Sequence, residues 1–365
     1  TTRTNKPKAM TRDGEGAVAP VQFGAGFYEE QSDAEGRWSS REARISFDPA
    51  DRDRYLAFQT LSDFRDLTQI VTVTINGEST DVVLPCGWAP ASVRVPARAP
   101  EALFTVNKLL PADYHPRDPR TLGVRLRYVG VHDDGRRHQH ALDRRNNAIR
   151  NNEEILQGRP VVQSTPPNVG IDLYGACNIK PPCVYCTWDE SKALEGDTVD
   201  TPFTLETLRE WGPFFEQSTD LVNCSIGEPF MMKNIDEVLD RFAEAGKYLQ
   251  LTTNGQILTD TNIQKLLGRS IDLNVSFDAA TPGTYATLRN RRFDLLVSNV
   301  RRLIEAKGGP GRLPIVTVVF MPMKANVREL DAFIQLCADL RVDYLVLRAL
   351  NFGHVTLKWD RAGYQ

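Results

Sequence analysis

The second half of the chain alternates between strand-like and helix-like segments, and this alternation limits the fold more than any other feature. Each strand-like segment is a short apolar run, and amphipathic stretches with apolar residues at helical spacing lie between them. Such alternation predicts a parallel sheet whose strands are joined by right-handed helical crossovers. The six strand-like segments are residues 167–175, 218–227, 247–255, 270–279, 314–322 and 343–350.

The helix-like segments define how far this sheet extends. Gly246 and Gly308 follow two of them at the position where glycine commonly ends a helix. Six strand–helix units are fewer than the eight that close a full barrel, so we expect an α/β fold, a partial (β/α)6 barrel. Its active site should lie at the C-terminal ends of the strands. The predicted helices are residues 203–218, 234–246, 259–269, 293–309 and 326–340.

The first part of the chain has a different pattern. Between residues 21 and 131, apolar and polar side chains alternate at period two, and turns such as Asn76-Gly77 separate the segments. Several short strands at this spacing predict a small antiparallel β-sandwich domain. The predicted strands are residues 43–47, 70–77, 81–85, 91–97, 103–107 and 122–131.

A very polar segment, residues 132–160, joins the two patterned regions and is predicted to be a linker helix. Its apolar stripe is thin: Leu142, Ile149, Ile155 and Leu156. Three histidines, His132, His138 and His140, could be metal ligands, but their charged neighbours favour a solvated surface. The expected organisation is a flexible tail (1–20), the β-sandwich domain (21–131), the linker helix (132–160) and the partial barrel (161–365).

Composition excludes several classes of function. The formal net charge of −3 gives no basic surface for nucleic acid, and no 18-residue apolar run suggests a membrane span. The N-terminal residues are polar and carry no apolar stretch of a secretory signal. A disulfide framework would be unusual in such a chain, so we expect a cytoplasmic protein with free cysteines.

Three of the six cysteines lie together in one loop directly after the first strand of the predicted barrel. Cys177, Cys183 and Cys186 are separated by five residues and then by two. Three thiolates would leave one iron of a four-iron cluster without a protein ligand, open to a substrate or cofactor. The alternative is a zinc site completed by a histidine or by Cys224.

A three-cysteine loop after the first strand of a six-unit βα domain resembles the radical SAM superfamily. The first gap here is five residues, whereas three is usual in that family. The resemblance implies a [4Fe–4S] cluster held by Cys177, Cys183 and Cys186, with S-adenosylmethionine (SAM) on the open iron. It also implies a 5′-deoxyadenosyl radical that takes a hydrogen atom from substrate, and an external electron donor such as flavodoxin or ferredoxin.

Further residues at predicted strand ends match motifs of this family, and the resemblance covers residues 165–350. Tyr185 matches the aromatic position near the SAM adenine, and Arg289 an arginine that pairs with the SAM carboxylate. In that family, a Gly-Glu-Pro motif contacts the SAM amino group, and a Thr-Asn-Gly turn follows the third strand. Two positions at the end of the fourth strand contact the ribose or the substrate. These residues are Gly227, Glu228 and Pro229; Thr253, Asn254 and Gly255; and Ser276 and Asp278.

The other cysteines bear on the type of reaction. Cys86, Cys224 and Cys337 are scattered, and only a short segment follows Arg348, so we expect no auxiliary cluster. This favours a redox-neutral reaction such as epimerisation, isomerisation or radical elimination. An epimerase needs a hydrogen-atom donor, and Cys224 is the best-placed thiol, although cysteine at such a position is more commonly a small buried residue of the strand. Cys337 lies at helical spacing from apolar residues and is expected in the core.

The expected substrate is a saccharide or another small molecule. Tyr28, Trp38 and Trp88 could stack on sugars, or could pack in the domain core. The N-terminal region is similar to small β domains attached to saccharide-processing enzymes, and the arrangement resembles the avilamycin-type epimerases of oligosaccharide-antibiotic pathways. The alternatives are a radical dehydratase or dehydrogenase, a peptide-modifying radical SAM enzyme, and a non-catalytic saccharide-binding protein with a structural metal.

Overall fold

The structure, a computed structural model, describes residues 19–28, 36–111, 120–186, 203–218, 220–223 and 227–349. The chain divides into two compact units, the first ending at Ser164 and the second beginning at Thr165. Among the described residues, no helix has the length and apolar character needed to cross a membrane.

The first unit contains two antiparallel sheets of five strands each. The central strands of both sheets are long enough to bury alternate side chains on the face between them. In chain order the strands are β1 (Ala19–Pro20), β2 (Gln22–Phe23), β3 (Arg37–Trp38), β4 (Glu42–Ser46), β5 (Arg54–Ser62), β6 (Ile70–Ile75), β7 (Glu78–Val83), β8 (Gly87–Val95), β9 (Glu101–Val106) and β10 (Arg125–His132).

One hydrophobic core unites these two sheets. The first sheet has the order β1-β10-β5-β8, with β3 also paired to β10, and the second has the order β2-β4-β9-β6-β7. Leu56 and Phe58 of β5, Val73 of β6 and Phe104 of β9 all belong to the same buried cluster. This arrangement is compatible with the predicted sandwich.

Strand β5 was missed by the sequence analysis, although it lies at the centre of its sheet. Its apolar residues do not alternate cleanly, because both faces of the strand are covered. Leu56 and Phe58 lie in the core, whereas Tyr55 on the opposite face stacks on His138 at 4.3 Å between ring centroids. A strand covered on both faces loses the period-two pattern by which strands are recognised.

The predicted linker helix is α1 (Gly135–Leu156), which packs against β8 and β5 of its own unit. Half of its predicted apolar stripe is exposed: Ile155 is 65% and Leu156 is 54% exposed, whereas Leu142 and Ile149 are half-buried. The helix instead buries polar side chains, and Arg145 donates hydrogen bonds to the backbone carbonyls of Val83 and Pro90. Backbone carbonyls of the sheet therefore replace apolar contacts in docking this helix.

The expectation of solvated histidines was also wrong for part of this segment. His132 is 2% exposed, and burial lowers its pKa to about 4. The ring of His138 stacks on Tyr55, and its Nδ1 lies 2.8 Å from the Ser92 hydroxyl. Both histidines are thus packing residues of the first unit.

The aromatic residues proposed for sugar stacking each have an arginine over the ring. Arg120 lies over Tyr28, Arg125 over Trp38, and Arg127 over Trp88 at 3.9 Å from the ring centroid. Trp38 is buried with Leu110 and Leu122, whereas Tyr28 and Trp88 are half-buried. Packing within the unit therefore accounts for Trp38.

The second unit is built on a six-stranded parallel sheet with the strand order β11 to β16, as the sequence predicts. The strands are β11 (Asn168–Ile171), β12 (Asp220–Asn223), β13 (Tyr248–Thr253), β14 (Ile271–Ser276), β15 (Ile315–Phe320) and β16 (Tyr344–Leu347). The helices are α2 (Leu205–Trp211), α3 (Pro213–Gln217), α4 (Ile235–Glu244), α5 (Asp260–Leu266), α6 (Pro282–Leu288), α7 (Phe293–Ala306) and α8 (Leu330–Leu340). This mixed α/β architecture is consistent with a partial barrel.

The two faces of this sheet differ in polarity. Leu251, Leu273 and Val318 face the helices and belong to one large core. Asp272, on the opposite face of β14, accepts hydrogen bonds from Thr317 at 2.8 Å and from Gln250 at 3.4 Å.

The predicted helix 203–218 is two helices, because Gly212 with φ of +45° precedes Pro213 at the start of α3. Cys337 is buried in α8, as predicted.

Candidate functional site

The cysteine loop follows β11 at the C-terminal edge of the parallel sheet. Cys177, Cys183 and Cys186 are all partly buried free thiols, and the amide of Cys186 donates to the carbonyl of Cys183 at 2.9 Å. Burial is the main cause that raises the pKa of Cys183 to about 11, and the nearby Arg289 opposes the rise. Burial also raises the pKa of Cys177, so both thiols lie in a setting that disfavours a free thiolate.

Two amide side chains lie against the first cysteine of the loop. Asn254 Nδ2 lies 3.7 Å from Cys177 Sγ and donates to Asn178 Oδ1 at 2.7 Å. Asn178 Nδ2 is buried and has no hydrogen-bond partner among the described residues. A buried amide group without an acceptor is costly, so this site is suited to a group that brings acceptor atoms or negative charge.

These donors fit an iron–sulfur cluster. Among the described residues, no three His, Cys, Asp or Glu side chains converge on a single ion. In a four-iron cluster each thiolate binds a different iron, so the sulfur atoms need not converge on one point. Three neighbouring thiols, together with an unpaired amide donor beside them, suit a group that binds thiolates and accepts hydrogen bonds at sulfur.

Gly227 brings the end of the second strand unit against the residues that lead into the cysteine loop. Its φ is +71°, and a Cβ placed there would lie 2.1 Å from the carbonyl oxygen of Tyr174 and 2.7 Å from that of Ala176. The amide of the next residue, Glu228, donates to the carbonyl of Ala176 at 2.7 Å. Only glycine permits this approach, which fixes the chain one residue before Cys177.

The carboxylate of Glu228 is fully buried and accepts hydrogen bonds from the neighbouring strand. Thr253 Oγ1 donates to both carboxylate oxygens, at 2.8 and 3.0 Å, and the amides of Asn254 and Phe230 donate at 2.8 and 3.3 Å. Burial raises the pKa of Glu228 to about 7, and these hydrogen bonds oppose the rise. The predicted residues Glu228, Thr253 and Asn254 therefore form one network that reaches Cys177.

A second network lies at the other end of the cysteine loop. The hydroxyl of Tyr185 donates to Asp278 Oδ2, and Arg289 donates to the same oxygen through Nε at 3.1 Å and Nη2 at 2.8 Å. Asp278 is 0% exposed and Arg289 is 7% exposed. Burial raises the pKa of Tyr185 well above its ordinary value, so this hydroxyl keeps its proton.

Sequence reasoning missed the residues that join these networks. Gln256 Nε2 donates to Asn290 Oδ1 at 2.9 Å, which connects the turn after β13 to the residue next to Arg289. Asn326, fully buried, donates to the carbonyl of Asp278 at 2.8 Å. Asn326 stands just before a helical segment, and an asparagine there is a typical helix-start pattern that could have drawn attention to it.

The family comparison agrees with this geometry. Residues 171–337 match the family model of the Radical SAM superfamily. The chain contains a radical SAM domain. Enzymes with this domain use a [4Fe–4S] cluster and SAM as cofactors. In this radical SAM domain, Cys177, Cys183 and Cys186 are the residues that would hold the cluster.

Part of the backbone of the chain is similar to several solved structures. SuiB of Streptococcus suis bound to precursor peptide SuiA has a TM-score of 0.44 and 16% identity, covering 60% of this chain and 46% of that one. TYW1 with a lysine-pyruvate adduct has a TM-score of 0.39 and 14% identity, over 55% and 66%. The structure of anSMEcpe with bound AdoMet and Cp18Cys peptide has a TM-score of 0.41 and 13% identity, over 51% of each chain.

The chain spans about half the length of the SuiB chains that it matches. TM-scores of this size carry no inference about substrate.

The structure gathers most of the predicted site residues but leaves some apart from both networks. Pro229 follows Glu228 in a buried 3-10 turn, and Ser276 ends β14 at the same edge of the sheet. Cys224 lies outside the described residues, three positions before Gly227 in the sequence. The roles predicted for these residues toward SAM or substrate stay predictions.

Proposed function

We propose that this radical SAM enzyme inverts one carbon of a saccharide in a redox-neutral epimerisation, with Cys224 as the hydrogen-atom donor. The observation that carries the proposal is the position of Cys224 in the chain. It directly follows Asn223, the last residue of β12, and precedes Gly227, which contacts the residues leading into the cysteine loop. We expect a thiol at this point of the sequence near the edge of the sheet that carries the site, because parallel strands end together there.

The other cysteines support a redox-neutral reaction. Cys86 is exposed in the first unit. Cys337 is buried in α8, and burial raises the pKa of its thiol to about 12. Their separate settings favour Cys224 as the donor thiol. A saccharide substrate is supported by the resemblance of the first unit to small β domains of saccharide-processing enzymes.

The chemistry balances with an external reductant. When bound, SAM and the cluster, reduced by one electron from an external donor, would supply a 5′-deoxyadenosyl radical with methionine as the second product, and this radical would take a hydrogen atom from the substrate carbon. The thiol of Cys224 gives a hydrogen atom to the opposite face of that carbon, which forms the inverted C–H bond and leaves a sulfur-centred radical on Cys224. One electron and one proton from an external donor of the flavodoxin or ferredoxin class and from solvent then restore the thiol.

The test uses the reconstituted enzyme, SAM, a reductant and an avilamycin-type oligosaccharide in deuterated water. Product one mass unit heavier, with deuterium at the inverted carbon, is expected. Cys224→Ala should still form 5′-deoxyadenosine without inverted product, whereas the exposed Cys86→Ala should match the wild-type enzyme. A product lighter by water or by two hydrogens, or an active Cys224→Ala enzyme, would refute the epimerase proposal.

A further inference from the structure

The segment between the last two cysteines is bound to the second unit at both of its residues. The amide of Val184 donates to the carbonyl of Leu288, the last residue of α6, at 3.0 Å. The hydroxyl of Tyr185 donates to the carboxylate of Asp278, just after β14. Because Cys183 and Cys186 flank these two residues, both cysteines are held by contacts outside their own loop.

Asp278 is itself fixed by more contacts than Tyr185 alone provides. Its second carboxylate oxygen accepts from the amide of Met321 at 2.8 Å, and its carbonyl accepts from Asn326 Nδ2. Arg289 donates to the same carboxylate oxygen of Asp278 as Tyr185 does. The backbone of Asp278 has φ of +62°, a costly conformation for a residue with a Cβ, so it persists only where neighbours enforce it.

The ring of Tyr185 is packed independently of its hydroxyl. It forms a small apolar cluster with Leu288 and Met323, and Cys183 packs against that cluster. Removing the hydroxyl alone would therefore leave the ring contacts in place. The hydrogen bond and the packing can be separated by experiment.

We propose that Tyr185 is a positioning residue that, through its hydrogen bond to Asp278, holds Cys183 and Cys186 in a cluster-ready arrangement before the cluster binds. A loop ordered in advance loses less conformational entropy when it takes up the cluster. The hydrogen bond acts on the cysteines and not on the reacting atoms, so the role concerns cluster binding and not the choice of substrate.

The test compares Tyr185→Phe with Tyr285→Phe in the cluster-free protein. Tyr285 is 0% exposed, and its hydroxyl accepts from Gln256 at 3.0 Å, so both changes remove one buried hydroxyl and one hydrogen bond. Alkylation by iodoacetamide is followed at each cysteine by peptide mass spectrometry. Tyr185→Phe should label Cys183 and Cys186 about fivefold faster, as the loss of one hydrogen bond implies, with Cys177 less affected.

Two further measurements distinguish positioning from a general loss of stability. The melting temperature should fall by a similar amount in both variants. The amount of iron bound from a limiting supply should fall only in Tyr185→Phe. The electron paramagnetic resonance spectrum of that variant should also show a larger share of three-iron clusters. Asn326→Ala, which removes a support of Asp278 without touching the loop, should give the same labelling pattern.

Wild-type labelling and iron content in Tyr185→Phe would overturn the proposal, as would equal changes in Tyr285→Phe. Labelling of Cys183 and Cys186 at the wild-type rate in a folded Asn326→Ala protein would show that Asp278 does not hold the two cysteines. That result would also overturn the proposal. None of these measurements uses a saccharide, so the outcome is independent of the proposed epimerisation.

Discussion

At the scale of single residues, Glu228 is the group whose charge the fold controls most directly. In the unfolded chain its carboxyl loses a proton near pH 4.5, and in the folded protein burial raises the pKa to about 7. Between these values only the unfolded state gives up the proton, so rising pH favours unfolding. Since one pKa unit corresponds to about 1.4 kcal/mol, the loss of stability across this window is about 3 kcal/mol.

We therefore predict that Glu228→Gln makes the cluster-free protein less sensitive to pH, because glutamine cannot ionise. The difference in melting temperature, variant minus wild type, should therefore be more positive at pH 8 than at pH 5. Glu237→Gln, an exposed change on α4, should follow the wild-type curve. Parallel pH profiles for wild type and Glu228→Gln would contradict the raised pKa.

Gly227 and Gly268 offer a matched pair for testing close backbone approach. Their φ values are +71° and +72°, but a Cβ at Gly268 would meet nothing within 4 Å. Gly268→Ala should cost about 1–2 kcal/mol for the left-handed backbone alone. Gly227→Ala should cost about 2 kcal/mol more through its clash with Tyr174 and Ala176, as an overpacked site does.

The same pair should differ in cluster binding. Gly227→Ala displaces the residues just before Cys177, so iron content after anaerobic reconstitution should fall well below that of Gly268→Ala. Urea denaturation gives the stabilities, and iron analysis gives the loading. Equal iron content in the two variants would mean that the approach at Gly227 does not position the loop.

At the scale of elements, docking of α1 depends on a buried arginine. Arg145 donates to carbonyls of β7 and β8, and burial lowers its pKa to about 9. Arg145→Ala would remove the donor from both carbonyls and should destabilise the first unit by about 2–3 kcal/mol. Arg150→Ala, an exposed change on the same helix, should stay within about 0.5 kcal/mol.

Amide hydrogen exchange of β8 is the measurement for this pair. Its residues, Gly87–Val95, should exchange faster in Arg145→Ala and at the wild-type rate in Arg150→Ala. Equal exchange in both variants would show that the apolar contacts of α1 are sufficient to dock it.

The elements also show what the sequence could predict. All six strands of the parallel sheet were found, because each is a short apolar run between amphipathic helices. In contrast, β5 escaped because both of its faces are covered, and the stripe predicted for α1 was only partly right because the helix docks through buried polar side chains such as Arg145, which donates to strand carbonyls. Hydrophobic periodicity detects elements that bury apolar residues. It does not detect an element that is docked by hydrogen bonds from buried polar side chains.

The site was predictable in position but not in pairing. The resemblance to family motifs pointed to Glu228, Thr253, Asn254 and Asp278, and their positions at strand ends agreed, since parallel strands present their C-terminal ends at one edge. The sequence could not show that Arg289 and Tyr185 share Asp278, because those residues are brought together only by the fold. A motif indicates which residues meet a site, but not which of them meet each other.

At the scale of the whole molecule, the two units have separate hydrophobic cores. Leu56 lies in the core of the first unit and Leu273 in that of the second, and both are 0% exposed. Leu→Ala at either position should cost about 2–5 kcal/mol. Since each core belongs to one unit, Leu56→Ala should speed amide hydrogen exchange mainly in residues 36–111, and Leu273→Ala mainly in residues 227–349. Should either variant speed exchange equally in both regions, the units would unfold as one cooperative body, and substitutions in the first unit would then change cluster retention through stability alone.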